Sequence, residues 1–420
     1  MREHELRRQV VGEMHLRRWP RVPVPGLVLQ WVVEVDADER AEEMALLDRY
    51  SHVIGDDAHP RHREGTLPDE ITFVWEKHSE GSSLALFLPC DHHDPFLAPR
   101  QQPNLAQALA WVNSLPGQVI RSTAIHVVAD DKKASEIVPR LLLSRSELVS
   151  CRLQGKARMW SDFRIGPDGF GRLLVAANGM EQRDFTRLLQ RLQELGNYRN
   201  KALLGLPVAQ SVWPRLDAAE KRLATLARRV TNADETDDAL LAELSDLSLE
   251  LMAVAASTNY RLSATAAYAR LVEDRLEQLA ITPIDGFSSL ADFTERRFLP
   301  AMRTCTAVGE REQQLSLRAS QLSSLLRARI ETRIENQNAR LLHSMERSSS
   351  LQLRLQQLVE GLSVVALSYY LLSLLAYVLK GAGHLWPRLD VELVIATLVL
   401  PTVGLVWLGL HSIKKRVLGD

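Results

Sequence analysis

The chain has 420 residues, 25% charged and 46% hydrophobic, with a formal net charge of -1. That length exceeds what one compact core usually takes, so two or three structural units are expected, and the near-neutral balance excludes a global basic field for nucleic acid. The three cysteines, Cys90, Cys151 and Cys305, lie far apart and never form a CxxC pair, which excludes a disulfide framework or zinc ribbon and fits reduced thiols in a cytosolic compartment.

The N-terminal stretch "MREHELRRQVVGEMHLRRWP" has Arg-Arg pairs but lacks the apolar run of a signal peptide, so the bulk of the chain is expected to stay unexported. Up to residue 178, strand-like and helix-like patterns alternate. "GLVLQWVVEVD" (26–36), "EITFVWEKH" (70–78), "SSLALFLP" (82–89) and "VIRSTAIHVVAD" (119–130) predict strands, with helices at "DERAEEMALLDRY" and "NLAQALAWVNSL" between them. "ARMWSDFRIGPDGFGRLLVAA" predicts a hairpin that reverses at Gly166-Pro167-Asp168-Gly169.

After Met180 no further strand is expected. A helical region opens at "EQRDFTRLLQRLQELGNYRNKALLGL", with breaks near Pro207, Asp234 and Pro283. From Ala301 to Leu379 there is no proline, and glycine occurs only at 309 and 361. That span would be a helix of about 120 Å at about 1.5 Å per residue, most of it a stalk. Leu322, Leu326, Ile330 and Ile334 step by four and resume at Leu341 and Met345. This suits coiled-coil-like packing on other helices, not a two-stranded zipper.

Leu362 to Leu379 and Leu393 to Leu410 are each 18 residues without a charge, the second broken by Pro401 and two glycines. Each can cross most of a hydrocarbon core of about 30 Å, and two in succession predict a transmembrane hairpin. Arg340, Arg347 and Arg354 precede the first run, and Lys414, Lys415 and Arg416 follow the second. The connecting loop balances Lys380 and Arg388 against Asp390 and Glu392. The positive-inside rule then puts both termini in the cytoplasm, and Trp386 and Tyr377 suit the interface near the loop.

On a helical projection Ser363, Leu367, Tyr370, Leu374, Tyr377 and Gly381 share one face. A hydroxyl at the middle of a span needs a partner, so this face meets either another helix, as a seam, or a water-filled path. Opposite it, Arg333, Arg340, Arg347 and Arg354 recur every seven residues, a solvated face or one that contacts lipid headgroups or a partner.

Chemical motifs are sparse. "CDHHDP" (90–95) is the densest group of potential ligands, with His59 and His62 as candidate additions, yet adjacent residues point different ways and the spacing suits a solvated loop better than a metal site. "GPDGFG" lacks the Lys-Ser/Thr ending of a phosphate loop and is expected to be a β-turn. Glu76, His78 and Asp162 would have to meet in space to form an active site. No hydrolase, metalloprotease or kinase signature is present, so no catalytic residue, cofactor or metal is assigned, and the expectation is a non-enzymatic protein.

Long collinear stretches carry a resemblance: "EMHLRRWP" (13–20), "FVWEKHSE" (73–80), "SDFRIGPDGFGRLLVAANGM" (161–180), "NYRNKALLGLPVA" (197–209), "TNYRLSATAAYARLVEDR" (258–275), "RRFLPAMRTCTAV" (296–308) and the run from Glu335 to Tyr370. The chain resembles an uncharacterised bacterial membrane-anchored family, domain of unknown function 3422, over nearly its whole length. The resemblance implies a cytosolic domain tethered to the inner membrane and carries over no catalytic residue. The layout is also similar to CorA-type divalent-cation channels. Their Gly-Met-Asn triplet after the first span is replaced here by Lys380-Gly381-Ala382-Gly383, and a lysine ring would repel cations.

The expected architecture is an α+β membrane protein. A mixed α/β cytosolic domain (1–178) leads into a helical hairpin region (179–290) and a stalk helix (291–361). Two transmembrane helices (362–413, spanning about 362–379 and 393–410) and a basic cytosolic tail (414–420) complete it. The expected partners are the lipid bilayer, further copies of the chain and a protein met by the cytosolic head. A non-enzymatic assembly is the first functional expectation, and a CorA-like ion transporter of altered selectivity is the alternative.

Overall fold

The computed structural model describes residues 2–13, 19–54, 59–89, 99–141, 147–230, 236–383 and 391–417. It is α+β: a mixed sheet in the N-terminal part is followed by long helices. The chain divides into two compact units, 1–323 and 324–420.

Four strands form where the apolar runs predict them: β1 (Gly26–Glu34), β3 (Ile71–His78), β4 (Gly81–Pro89) and β5 (Gln118–Val128). Helices α2 (Arg40–Asp48) and α3 (Ala106–Ser114) also fall where expected. A short α1 (Arg7–Glu13) precedes them, and α4 (Asp131–Ile137) follows β5. The predicted hairpin is β7 (Ala157–Ser161) and β8 (Gly171–Ala176), antiparallel, and the Gly166 and Gly169 amides close its turn onto Phe170 O and Gly166 O at 2.8 and 2.9 Å.

Three strands depart from the sequence expectation: β2 (His62–Leu67), β6 (Val149–Leu153) and β9 (Ile281–Pro283). β2 reads "HREGTL", too polar to signal a strand, because it is the last strand of the sheet, with β3 as its ladder partner and only a single bridge, Gly65 to Ser51, on its other side. β9 corrects the expectation that strands stop after Met180. It pairs with β6 through Leu153, Arg152 and Cys151, a long-range partnership that three residues cannot announce locally. The nine-stranded order is β2-β3-β4-β1-β5-β8-β7-β6-β9, antiparallel except for β5 with β8.

Both faces of the central strands are covered, so their runs are nearly all apolar rather than alternating. On one face Leu27, Leu29 and Trp31 of β1 pack with Phe73, Trp75 and Leu86 beneath Leu47 of α2 and Ala108 of α3. On the other, Val28, Val74, Phe87, Ile125 and Val127 pack under α5 (Gln182–Leu203), through Phe185, Leu188 and Leu192. Full burial of one such side chain contributes about 1.5–3 kcal/mol.

α6 (Gly205–Val230), α7 (Asp237–Gln278) and the start of α8 (Leu290–Gly383) complete this unit. Buried positions step by three and four along α6 (Ala209, Val212, Leu216, Ala219, Leu223, Leu226) and along α7 (Leu240, Leu244, Leu247, Leu251, Val254). That rhythm keeps one stripe per helix against its neighbour. On α8, Cys305, Val308, Leu315 and Ala319 continue it, and Arg311 pairs with Asp217 at 2.6 Å and with Glu220. The expected four-residue stripe ends there: Leu326 is buried, whereas Ile334, Leu341 and Met345 are exposed.

The second unit holds the remainder of α8 and α9 (Val391–Val417). Each helix contains a segment long and apolar enough to cross a membrane.

Candidate functional site

The sheet face beneath α5 changes character along its strands. At one end it is apolar, with Val28, Val74, Phe87 and Ile125. Two residues further along the same strands stand Gln30 on β1, Glu76 on β3 and Thr123 on β5, with Arg121 beyond. Ser83 stands four residues before Phe87 on β4. Successive side chains of a strand alternate faces, so these polar residues lie under α5 as their apolar neighbours do. Opposite them α5 buries Gln193, Asn197, Arg199 and Lys201. A polar interior results, with two cavities.

The larger cavity has a volume of about 190 Å³ and is lined by Gln30, Glu76, His78, Ser83, Glu194 and Lys201, with Tyr198 and Tyr268 stacked at 6.0 Å on its helical side. His78 Nε2 is 2.9 Å from Ser83 Oγ, and Arg275 Nε donates to Glu194 Oε2 at 2.6 Å. Lys201 is only 3% exposed, with its ammonium 5.5 Å from the Tyr268 ring centre. Burial pushes its pKa down to about 8, with Glu80 acting in the opposite sense. Burial likewise raises the Tyr268 hydroxyl to about 12. Burial pushes the Glu80 carboxyl upward, but the hydrogen bond from Arg261, at 2.7 Å, and its charge outweigh this and hold the pKa below the usual value.

The smaller cavity, about 80 Å³, lies between β5, β8 and α5, and four arginines line it: Arg121, Arg164, Arg172 and Arg199. Two are neutralised, Arg164 by Glu147 at 2.7 Å and Arg172 by Asp168 at 3.4 Å. Arg121 instead donates through Nη1 to the neutral amides of Gln193 and Asn197, each at 2.7 Å. Its guanidinium lies flat on Gly196, where a Cβ would sit 2.7 Å from Nη2. Arg199, 7% exposed, stacks on Phe163 at 4.5 Å. Burial lowers both arginines, to about 9 for Arg121, where the like charge of Arg199 adds to the effect, and to about 10 for Arg199. Asn197 lines the larger cavity and Gln193 the smaller, so the amides that hold Arg121 form the wall between them.

Glu76 and His78 both line the larger cavity, whereas Asp162, buried between β7 and β8, accepts from the Arg164 amide at 3.1 Å and does not line it. "CDHHDP" lies outside the described residues, and among those described no cluster of His, Cys, Asp or Glu is placed to hold a metal ion. Cys151 and Cys305 are buried free thiols, and burial raises Cys151 to about 11. In the second unit Tyr370 and Tyr377 are 66% and 77% exposed, Ser363 is half-buried and Gly381 exposed. Among the described residues of that unit the polar Ser368 on α8 and Thr402 on α9 are buried, and Tyr370 and Tyr377 lie on the side of α8 opposite Ser368. Arg333, Arg340, Arg347 and Arg354 are all exposed along α8. Lys414, Lys415 and Arg416 fall within α9, and their side chains lie outside the described residues.

Arg121, Gln193, Arg199 and Lys201 were not singled out by sequence reasoning. The signal available was a basic or amide residue at an inward position of an otherwise apolar strand or helix, as in "VIRSTAIHVV" and "NYRNK".

These features define an α+β protein with a polar interior in its sheet-bearing unit and two helices capable of crossing a membrane. The family described as "Protein of unknown function (DUF3422)" matches residues 2–417, and the chain belongs to that family. No curated protein and no solved structure matches the chain.

Proposed function

We propose that this protein is a non-enzymatic assembly anchored in the inner membrane by α8 and α9, with both termini in the cytoplasm and a cytosolic head that binds a partner protein. The observation that carries this reading is the pair of long apolar helices at the C-terminal end, flanked by basic residues. Oligomerisation is favoured by the part of α8 that leads into the apolar run and includes its first residue. There Leu341, Met345, Leu355 and Leu362 are 61%, 64%, 63% and 70% exposed in a single chain. Leu341, Leu355 and Leu362 fall on one seven-residue repeat, which a second copy of the helix would cover.

Light scattering on the detergent-solubilised chain, corrected for bound detergent, is expected to give an oligomer, and a monomer would overturn the reading. The exposed Tyr370 and Tyr377 keep an ion-transport alternative open, because their hydroxyls need protein or water within a span. A closed ring in which Tyr370→Cys subunits cross-link would favour that alternative. A dimer without such cross-links favours the tethered assembly.

A further inference from the structure

The smaller cavity is lined by the buried guanidinium of Arg199 and the half-buried one of Arg121, with an incomplete set of partners. Among the described residues no carboxylate pairs with Arg121 or Arg199, while Glu147 and Asp168 satisfy the two arginines beside them. Burying one unpaired charge is costly, and burying two of like sign adds their repulsion. Two donors are also left over. Arg199 Nη1 and Gln193 Nε2 are buried without a hydrogen-bond partner. The Gln193 orientation is dictated by its neighbour, since Oε1 must accept from Arg121 Nη1, which turns the amide nitrogen away as a donor. Arg199 and Gln193 are 7% and 0% exposed, so bulk water does not relieve either.

Unused donors and uncompensated positive charge around one space describe the complement of an oxyanion. The volume of about 80 Å³ admits several water-sized groups, enough for a tetrahedral oxyanion. One dianion cancels both guanidiniums, whereas one carboxylate cancels only half of their charge. Ile165, 79% exposed, stands at the rim, so a group attached to the anion can extend outward.

We propose that this cavity is a binding site for a phosphate group, held between Arg121 and Arg199 with Gln193 Nε2 as a further donor. Gly196 is part of the site because only a residue without a side chain lets the Arg121 guanidinium lie against α5.

Equilibrium dialysis of the full-length detergent-solubilised chain against 32P-labelled inorganic phosphate tests the assignment. Saturable binding is expected, weakened about tenfold or more by Arg199→Gln, as for loss of one charge-assisted hydrogen bond, and less by Arg199→Lys. Glycerol phosphate that competes with phosphate identifies a phosphomonoester as the source, and failure to compete identifies free phosphate. Gln193→Glu supplies an internal counter-ion and guards against a simple loss of fold. It should raise the melting temperature in phosphate-free buffer while abolishing phosphate binding. Absence of saturable binding, binding equal in wild type, Arg199→Gln and Gln193→Glu, or displacement by acetate as readily as by phosphate would overturn the proposal.

Discussion

Lys201 shows how one residue in the polar interior ties sequence to behaviour. Its ammonium stands 5.5 Å from the Tyr268 ring centre at the wall of the larger cavity, and the residue is 3% exposed. Burial lowers its pKa from the ordinary 10.5 to about 8. Between those values the unfolded chain holds a proton that the folded chain has released, so stability attributable to this group rises with pH. Below pH 8 the lysine is charged in both states, and the folded state carries the desolvation cost. Relative to Lys201→Met, the wild-type chain should gain up to about 3 kcal/mol between pH 8 and 10.5. Thermal unfolding of both proteins across that range checks it, and parallel curves would show that Lys201 does not titrate there. The comparison with Lys201→Met is needed because Arg121 and Arg199 are lowered in the same sense.

The junction of α5 and α6 decides whether those residues meet at all. Only Leu204 separates the two helices, and Gly205 opens α6 against α7. A Cβ at Gly205 would sit 2.2 Å from Thr265 Oγ1, the hydroxyl that donates to Ala202 O at 3.1 Å at the end of α5. Gly205→Ala should therefore cost about 2–3 kcal/mol, combining overpacking with loss of that hydrogen bond. Adding Thr265→Ala should restore part of it, because the two side chains compete for one space. Denaturant unfolding of the single and double variants measures the coupling, and strictly additive losses would mean the clash is absorbed elsewhere. The expected break near Pro207 falls at this junction. Pro207 itself sits in the first turn of α6, where a missing amide hydrogen costs little.

At the scale of the molecule, sheet and helices up to Ser323 share buried cores, since Phe185, Leu192, Leu279 and Leu290 belong to the same cluster as the strands. A chain ending at Ser323 should therefore express without detergent and melt cooperatively. Sedimentation and calorimetry test this, and aggregation or a non-cooperative melt would show that the unit depends on residues 324–420 for its stability. Such a fragment omits both apolar segments and Leu341, Met345, Leu355 and Leu362, so it should also lose self-association if those positions mediate it.

The sequence by itself determined the features that depend on neighbours along the chain. Apolar runs located β1, β3, β4 and β5, turn residues located the β7–β8 reversal, and two uncharged stretches marked the helices that can cross a membrane. Family membership was also legible, because it is spread over the whole length. Only the tertiary structure decided which polar residues matter. Arg121 and Arg199 are 78 positions apart and read locally as ordinary strand and helix arginines. Their meeting depends on β5 lying beside β8 beneath α5. Likewise Ile281 pairs with Leu153 across the chain, which no local pattern encodes. A strand or helix records which of its faces is buried, but not whose charge it is buried with, and that second fact creates the two cavities.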